Sequence, residues 1–143
     1  MNAPGKLETA SATKRFQAKR DAILAAAADA INEQSAKGMT FADVARRVGL
    51  NTTSVTYYFK RKEDLAQACF EHTLETLGEM LDTAQMEATP EARVARYLSL
   101  NMERFARIRE NEERALATLS DLDRKSTRLN SSHTDISRMP SSA

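Results

Sequence analysis

No stretch of this chain alternates apolar and polar residues with a period of two, the pattern of a half-buried strand. Its apolar residues recur at three, four and seven, which lines them up on one face of a helix. Gly and Pro, four and three in 143 residues, are too few to break the runs often. Ala, Arg, Glu and Leu are abundant and favour helices. The fold class this predicts is all-α, and no internal repeat is visible.

Residues 1–13 are small and polar and read as a flexible arm. From Lys14 the period turns helical, with Phe16, Ile23, Leu24, Ala27, Ala28 and Ile31 on one face. This first helix is expected to stop at Gly38, a natural left-handed position after a helical run. Thr40 reads as the N-cap of a short second helix, its hydroxyl accepting from an amide near Asp43. Phe41, Val44, Ala45 and Val48 form the apolar stripe of that helix, and Gly49 ends it. Asn51 caps a third helix from Thr52 to about Tyr58 or Phe59, with Val55 and Phe59 pointing inward. Glu63 and Asp64 open a fourth helix, acids at its positive end. Cys69, Phe70, Leu74, Leu77, Met80, Leu81 and Ala84 carry its apolar face to about Met86. Thr89-Pro90-Glu91 restarts the helix as cap, first-turn proline and acid. Val94, Leu98, Met102, Phe105 and Ile108 keep register in this fifth helix, and a sixth is expected from Glu112 to Leu122.

Charge is unevenly spread. Residues 1–62 hold eleven Lys or Arg against five Asp or Glu, a net of +6, and residues 63–122 hold six against thirteen, a net of −7. A basic front joined to an acidic middle suggests that only the front meets a polyanion.

The second and third helices, joined by Gly49-Leu50-Asn51, form a helix-turn-helix whose second member leaves hydroxyls and aromatic rings on its outer side. The stretch AILAAAADAINEQSAKGMTFADVARRVGLNTTSVTYYFKRKEDLAQACF carries the closer likeness. Its Ala-Ala pair, Gly38-x-Thr40, Asp43-Val44-Ala45, Val48-Gly49-Leu50, Tyr58-Phe59 and Lys62-Glu63-x-Leu65, in that order and spacing, resemble the TetR/AcrR family of bacterial transcription regulators.

The resemblance implies a three-helix DNA-binding head over residues 14–62, with the helix-turn-helix at about 40–59 and the likeness reaching about 76. A long connecting helix then leads into an all-helical ligand-binding and dimerisation body. Residues 63–122 would be the start of that body, truncated. Members of the family are homodimers, usually repressors, that hold a double-stranded DNA operator until a small molecule in the body releases it. The effector and the homodimer belong to the intact protein; without the remaining body helices, dimerisation is expected to be weak or absent. The residues alone leave one alternative, a helical protein-interaction module with a basic face and no specific DNA binding.

The expected DNA-binding residues are Thr40, Arg46, Arg47, Thr52, Thr53, Thr56, Tyr57, Tyr58 and Lys62. Thr52, Thr53 and Thr56 offer hydroxyls to base edges or phosphates and methyls to thymine. Tyr57 and Tyr58 offer hydroxyls to phosphate and flat rings to sugars. Position 56 is Thr where many family members carry Tyr, which leaves that Tyr's backbone contact to Tyr57. Lys62 matches the basic residue at the start of the fourth helix, where side chain and amides meet a phosphate. Thr40 both caps its helix and faces the backbone. One of Arg46 and Arg47 reaches phosphate and the other is solvated. Lys14, Arg15, Lys19 and Arg20 add electrostatic grip, and the arm before them is a candidate for the minor groove.

No catalytic chemistry stands out. Cys69, the one cysteine, sits on an apolar face with no activating His or acid, so no disulfide and no nucleophile is expected. His72 lacks partners at metal-ligand spacing, so no metal site is expected, and no cofactor is implied. The methionines read as filler. No apolar run approaches a membrane span, and the N-terminus lacks a signal core, which favours a reducing, cytoplasmic setting. Residues 123–143, DRKSTRLNSSHTDISRMPSSA, hold six serines and no amphipathic period. They resemble the translation of a sequencing-library adapter, a non-native, disordered tail; the competing reading is a natural Ser-rich disordered tail.

Overall fold

A computed structural model describes residues 5–119, with side chains from residue 10 onward. Every regular element among them is a helix: α1 Gly5–Gly38, α2 Phe41–Arg47, α3 Thr52–Tyr58, α4 Lys62–Gln85 and α5 Pro90–Arg109. The tail at 123–143 lies outside the described residues.

The first three helices and the first turns of α4 enclose one core. Ile23, Ala27, Ala30 and Ile31 of α1, Met39 of the link, Val44 of α2, Val55 of α3 and Leu65 of α4 are sealed from solvent. Burying a Val, Leu, Ile or Met side chain contributes about 1.5–3 kcal/mol, so this cluster fixes how the short α2 and α3 sit. Neither helix, at seven residues, has the length to be stable alone. Each is held by its cap and its buried stripe. The Thr40 hydroxyl accepts from the Asp43 amide at 3.1 Å, and the Asn51 side chain accepts from the Ser54 amide at 2.8 Å, as their positions in the sequence predict. Thr89 does the same for Ala92 at 3.2 Å, with Pro90 in the first turn of α5.

Three expectations are corrected. α1 begins at Gly5, not Lys14, and so takes in most of the segment read as a flexible arm. Residues 6–37 contain no Gly or Pro to stop propagation. Second, the left-handed position before α2 is not Gly38. It is Ser35, at φ 69 and ψ 163, which breaks α1 a turn earlier; the Ser35 carbonyl accepts from the Met39 amide at 3.1 Å and swings buried Met39 into the core. That methionine is a core residue, not filler.

Third, no sixth helix forms over residues 112–119. Asn111 takes φ 59 and turns the chain after α5. The segment then runs back across α1 and α4 without regular structure, and tertiary bonds replace the helical ones. Asn32 of α1 donates to the Leu116 carbonyl at 2.9 Å and accepts from the Thr118 amide at 2.8 Å. The Thr73 hydroxyl lies 3.2 Å from the Ala117 carbonyl, and Ala117 is buried beneath. Arg104, buried on α5, holds Glu113 at 2.5 Å and the Arg114 carbonyl at 3.2 Å.

Further along, the apolar faces stand open. Leu74 and Leu81 of α4 are exposed, as are Val94, Leu98, Met102 and Phe105 of α5. No described helix is long and apolar enough to cross a membrane.

Candidate nucleic-acid interface

The outer side of α3 follows from what holds its inner side. Val55 is fully buried and Phe59 nearly so. Four residues apart on a helix of two turns, they leave Thr52, Thr53 and Tyr57 facing out, all exposed, with Tyr57 at 69%. Thr56 and Tyr58 are half-buried on the flanks. The Thr56 hydroxyl is 2.7 Å from the Thr52 carbonyl, a local bond that occupies its donor. Thr52, Thr53 and Tyr57 keep their polar atoms on the open face.

Tyr57 is exposed but not loose. Its ring meets Phe16 edge-on at 6.1 Å and 80°, and Tyr58 edge-on at 5.2 Å and 90°. Phe16 in turn lies 4.8 Å from Tyr58. Such edge contacts contribute about 0.5–1.5 kcal/mol each beyond area burial. Phe16 was expected on the core face of α1; it is instead part-exposed at 36% and serves as the support of the α3 tyrosines. One turn on, Arg20 stacks its guanidinium 5.1 Å from the centre of the Phe59 ring.

The two arginines of α2 differ in their commitments. Arg47 is half-buried and forked onto Glu33 of α1 at 3.1 and 2.5 Å, with Asp43 a further 3.1 Å from its Nε. The bonds to Glu33, ahead of those to Asp43, raise its pKa further above its already high value. Arg46 bonds the Asp43 carboxylate and leaves 77% of its side chain exposed. Desolvation pushes the Asp43 carboxyl up, but bonds from Arg46 and Arg47 outweigh it and hold the group below the usual carboxylate range. Arg47 also holds Glu33 low.

Lys62, in the first turn of α4, is half-buried and donates its ammonium to the Lys37 carbonyl at the end of α1. The same turn is closed by Arg61 and Asp64: the Arg61 amide lies 3.2 Å from an Asp64 oxygen and its Nη2 lies 2.7 Å from the other. Cys69 is buried, its thiol pushed up to about 12 by that burial, and its sulfur faces the Leu24 carbonyl at 3.6 Å. It packs, as its place on an apolar face predicts.

The structure therefore places Thr52, Thr53, Thr56, Tyr57 and Tyr58 on α3, Thr40 at the cap of α2 and Arg46 exposed on α2. Arg47 is turned into the protein. Neither Phe16 as a support nor Glu33 as a partner of Arg47 is signalled by the sequence pattern. Glu33 lies fourteen residues away on another helix, where no local period links them.

Residues 23–69 match the family model described as bacterial regulatory proteins, tetR family. Among curated proteins, the HTH-type transcriptional regulator RutR of Escherichia coli strain K12 and that of Shigella flexneri are each 28% identical over 95 residues. The match covers 66% of this chain and 45% of each relative, so the chain spans less than half the length of those proteins. No solved structure matches.

Proposed function

Through residues 23–69 the chain belongs to the tetR family of bacterial regulatory proteins, and from that premise we propose that it is a transcriptional regulator that reads double-stranded DNA with α3 in the major groove. The observation that carries this is the exposure of Thr52, Thr53 and Tyr57 above a buried Val55 and Phe59. A helix held by its inner side and presenting hydroxyls and a ring outward is the shape that direct readout needs. The head would comprise residues 14–62 and the start of the regulatory body residues 63–122. Thr40, Arg46, Thr56, Tyr57, Tyr58 and Lys62 would meet the DNA backbone, Lys62 after exchanging the Lys37 carbonyl for a phosphate. Arg47 would act from behind, by fixing α2 to α1.

The finer reading is a ligand-responsive repressor, dimeric in its intact form. That reading rests on the family likeness; the apolar hollow of about 200 Å3 between α4 and α5 is open to solvent, with Leu81, Val94 and Leu98 of its wall exposed. Coupling of a ligand site in the body to the head would be worth about 1–3 kcal/mol. No step of this reading is catalytic.

Enrichment of a random duplex pool on the full chain, followed by titration of the selected sequence, tests it. Selective duplex binding, weakened by Tyr57→Ala and by Lys62→Gln, is the expected outcome. Failure to enrich any sequence, with binding at low salt to acidic proteins alone, would favour the interaction module with a basic face.

A further inference from the structure

Between α1 and α3 lies a hollow of about 150 Å3, walled by Lys19, Leu50, Ser54, Tyr57 and Tyr58. Four of these five side chains can offer a hydroxyl or an ammonium, and none is a carboxylate. Lys19 is exposed and makes no ion pair among the described residues. The wall opposite it is stiff, because Tyr57 is wedged edge-on between Phe16 and Tyr58.

We propose that this hollow seats one phosphate diester of the DNA backbone, with Lys19 supplying the charge and Ser54, Tyr57 and Tyr58 the hydroxyl donors. The inference rests on the reading that α3 meets duplex DNA, and deepens it by drawing α1 into the contact. A cation beside three hydroxyl-bearing side chains, with no acid in the lining, suits an anion. An aromatic side chain already fixed in one position loses little freedom when a partner arrives, so the Phe16 contact lowers the cost of binding at Tyr57. Lys19 thus differs from Lys14 and Arg15, which share its helix but line no such hollow.

The test is a salt titration of the full chain on the duplex it selects, and on an unselected duplex, with Lys19→Gln alongside. Each phosphate neutralised contributes about 0.9 to the slope of log affinity against log salt. Lys19→Gln is expected to make the slope shallower by about 0.9 per head, so its deficit against the parent shrinks about 3.5-fold between about 50 and 200 mM salt. The loss should be the same on both duplexes, since a phosphate carries no base identity. If Tyr57→Ala still weakens binding but Lys19→Gln leaves the slope as it was, the seat is wrong and the DNA-binding reading stands. A chain that binds no duplex at any salt overturns both. Inorganic phosphate is the second arm: if it alone shifts the Lys19 and Tyr57 resonances while the slope of Lys19→Gln is unchanged, the hollow takes free anions and not DNA.

Discussion

The Arg47 guanidinium forks onto the Glu33 carboxylate, Nη1 to Oε1 at 3.1 Å and Nη2 to Oε2 at 2.5 Å, and so ties α2 to the end of α1. Its neighbour Arg46 shares Asp43, bonds nothing else among the described residues and stays largely in solvent. Two adjacent residues of one type thereby divide into a brace between helices and a cation that stays largely exposed. Arg46→Ala is expected to keep the thermal midpoint of the chain, as surface changes usually do within about 0.5 kcal/mol. It should weaken duplex binding and make the salt slope shallower by about 0.9. Arg47→Ala is expected to do the reverse first, lowering the midpoint because it releases α2 and leaves two carboxylates together. Calorimetry and salt titration on both variants check the split; equal slopes for Arg46→Ala and the parent would contradict it.

The same brace makes stability depend on pH. Glu33 and Asp43 are both held below their ordinary values of 4.5 and 3.8 by the arginines that bond them. A carboxylate depressed in the folded state stabilises fully above its unfolded pKa, and that contribution is lost as pH falls through the folded one. The thermal midpoint is therefore expected to be flat above about pH 5 and to drop as pH falls through and below 4. Glu33→Gln should lower the plateau and shrink the drop, and a midpoint series from pH 7 to 3 in both proteins measures it.

Tyr57 and Thr53 are both exposed on α3 but differ in what surrounds them. Thr53 is exposed beside Thr52, outside the aromatic cluster, so Thr53→Ala should leave folding untouched and relax sequence preference at one base pair. A single such contact discriminates by about 1–3 kcal/mol, or roughly fivefold or more. Tyr57→Ala removes both its own hydroxyl and one wall of the aromatic cluster with Phe16 and Tyr58. It should weaken all duplexes alike. Affinity measured on a panel of single-base variants separates the two; a uniform loss for Thr53→Ala would mean that it touches phosphate.

Those outcomes bear on how far the sequence could be read. The caps at Thr40, Asn51 and Thr89 were legible because each needs a hydroxyl or amide immediately before an apolar stripe, a purely local requirement. Val55 and Phe59 were legible for the same reason, from a spacing of four. What could not be read was tertiary. The Phe16 ring is apolar and on the right period for the core, yet it lies two turns before Ile23, the first buried position of α1, and meets the tyrosines of α3 instead. The segment after Asn111 has strong helix formers, but its backbone groups find Asn32 and Thr73, forty or more residues away. Propensity yields there to packing.

Ser35 offers the last and least expected outcome. Its φ of 69 and ψ of 163 lie where only glycine is at ease, and holding another residue there costs about 1–3 kcal/mol. Gly38, three residues on, keeps an ordinary φ, and a Cβ added there would stand 3.0 Å from the Gln34 Cβ. The glycine of this turn is thus needed for room and the serine takes the strain. Ser35→Gly should remove that strain at an entropic cost of about 0.5–1 kcal/mol, and so raise stability by roughly 1 kcal/mol. Gly49→Ala is the mirror case: φ is +66 with nothing within 4 Å, so the added methyl meets no neighbour and only the backbone resists. It should lower stability by about 1–2 kcal/mol. Urea midpoints of the two variants are expected to move in opposite directions. A lower midpoint for Ser35→Gly would mean that the serine side chain stabilises the break in α1 by more than its backbone strains it.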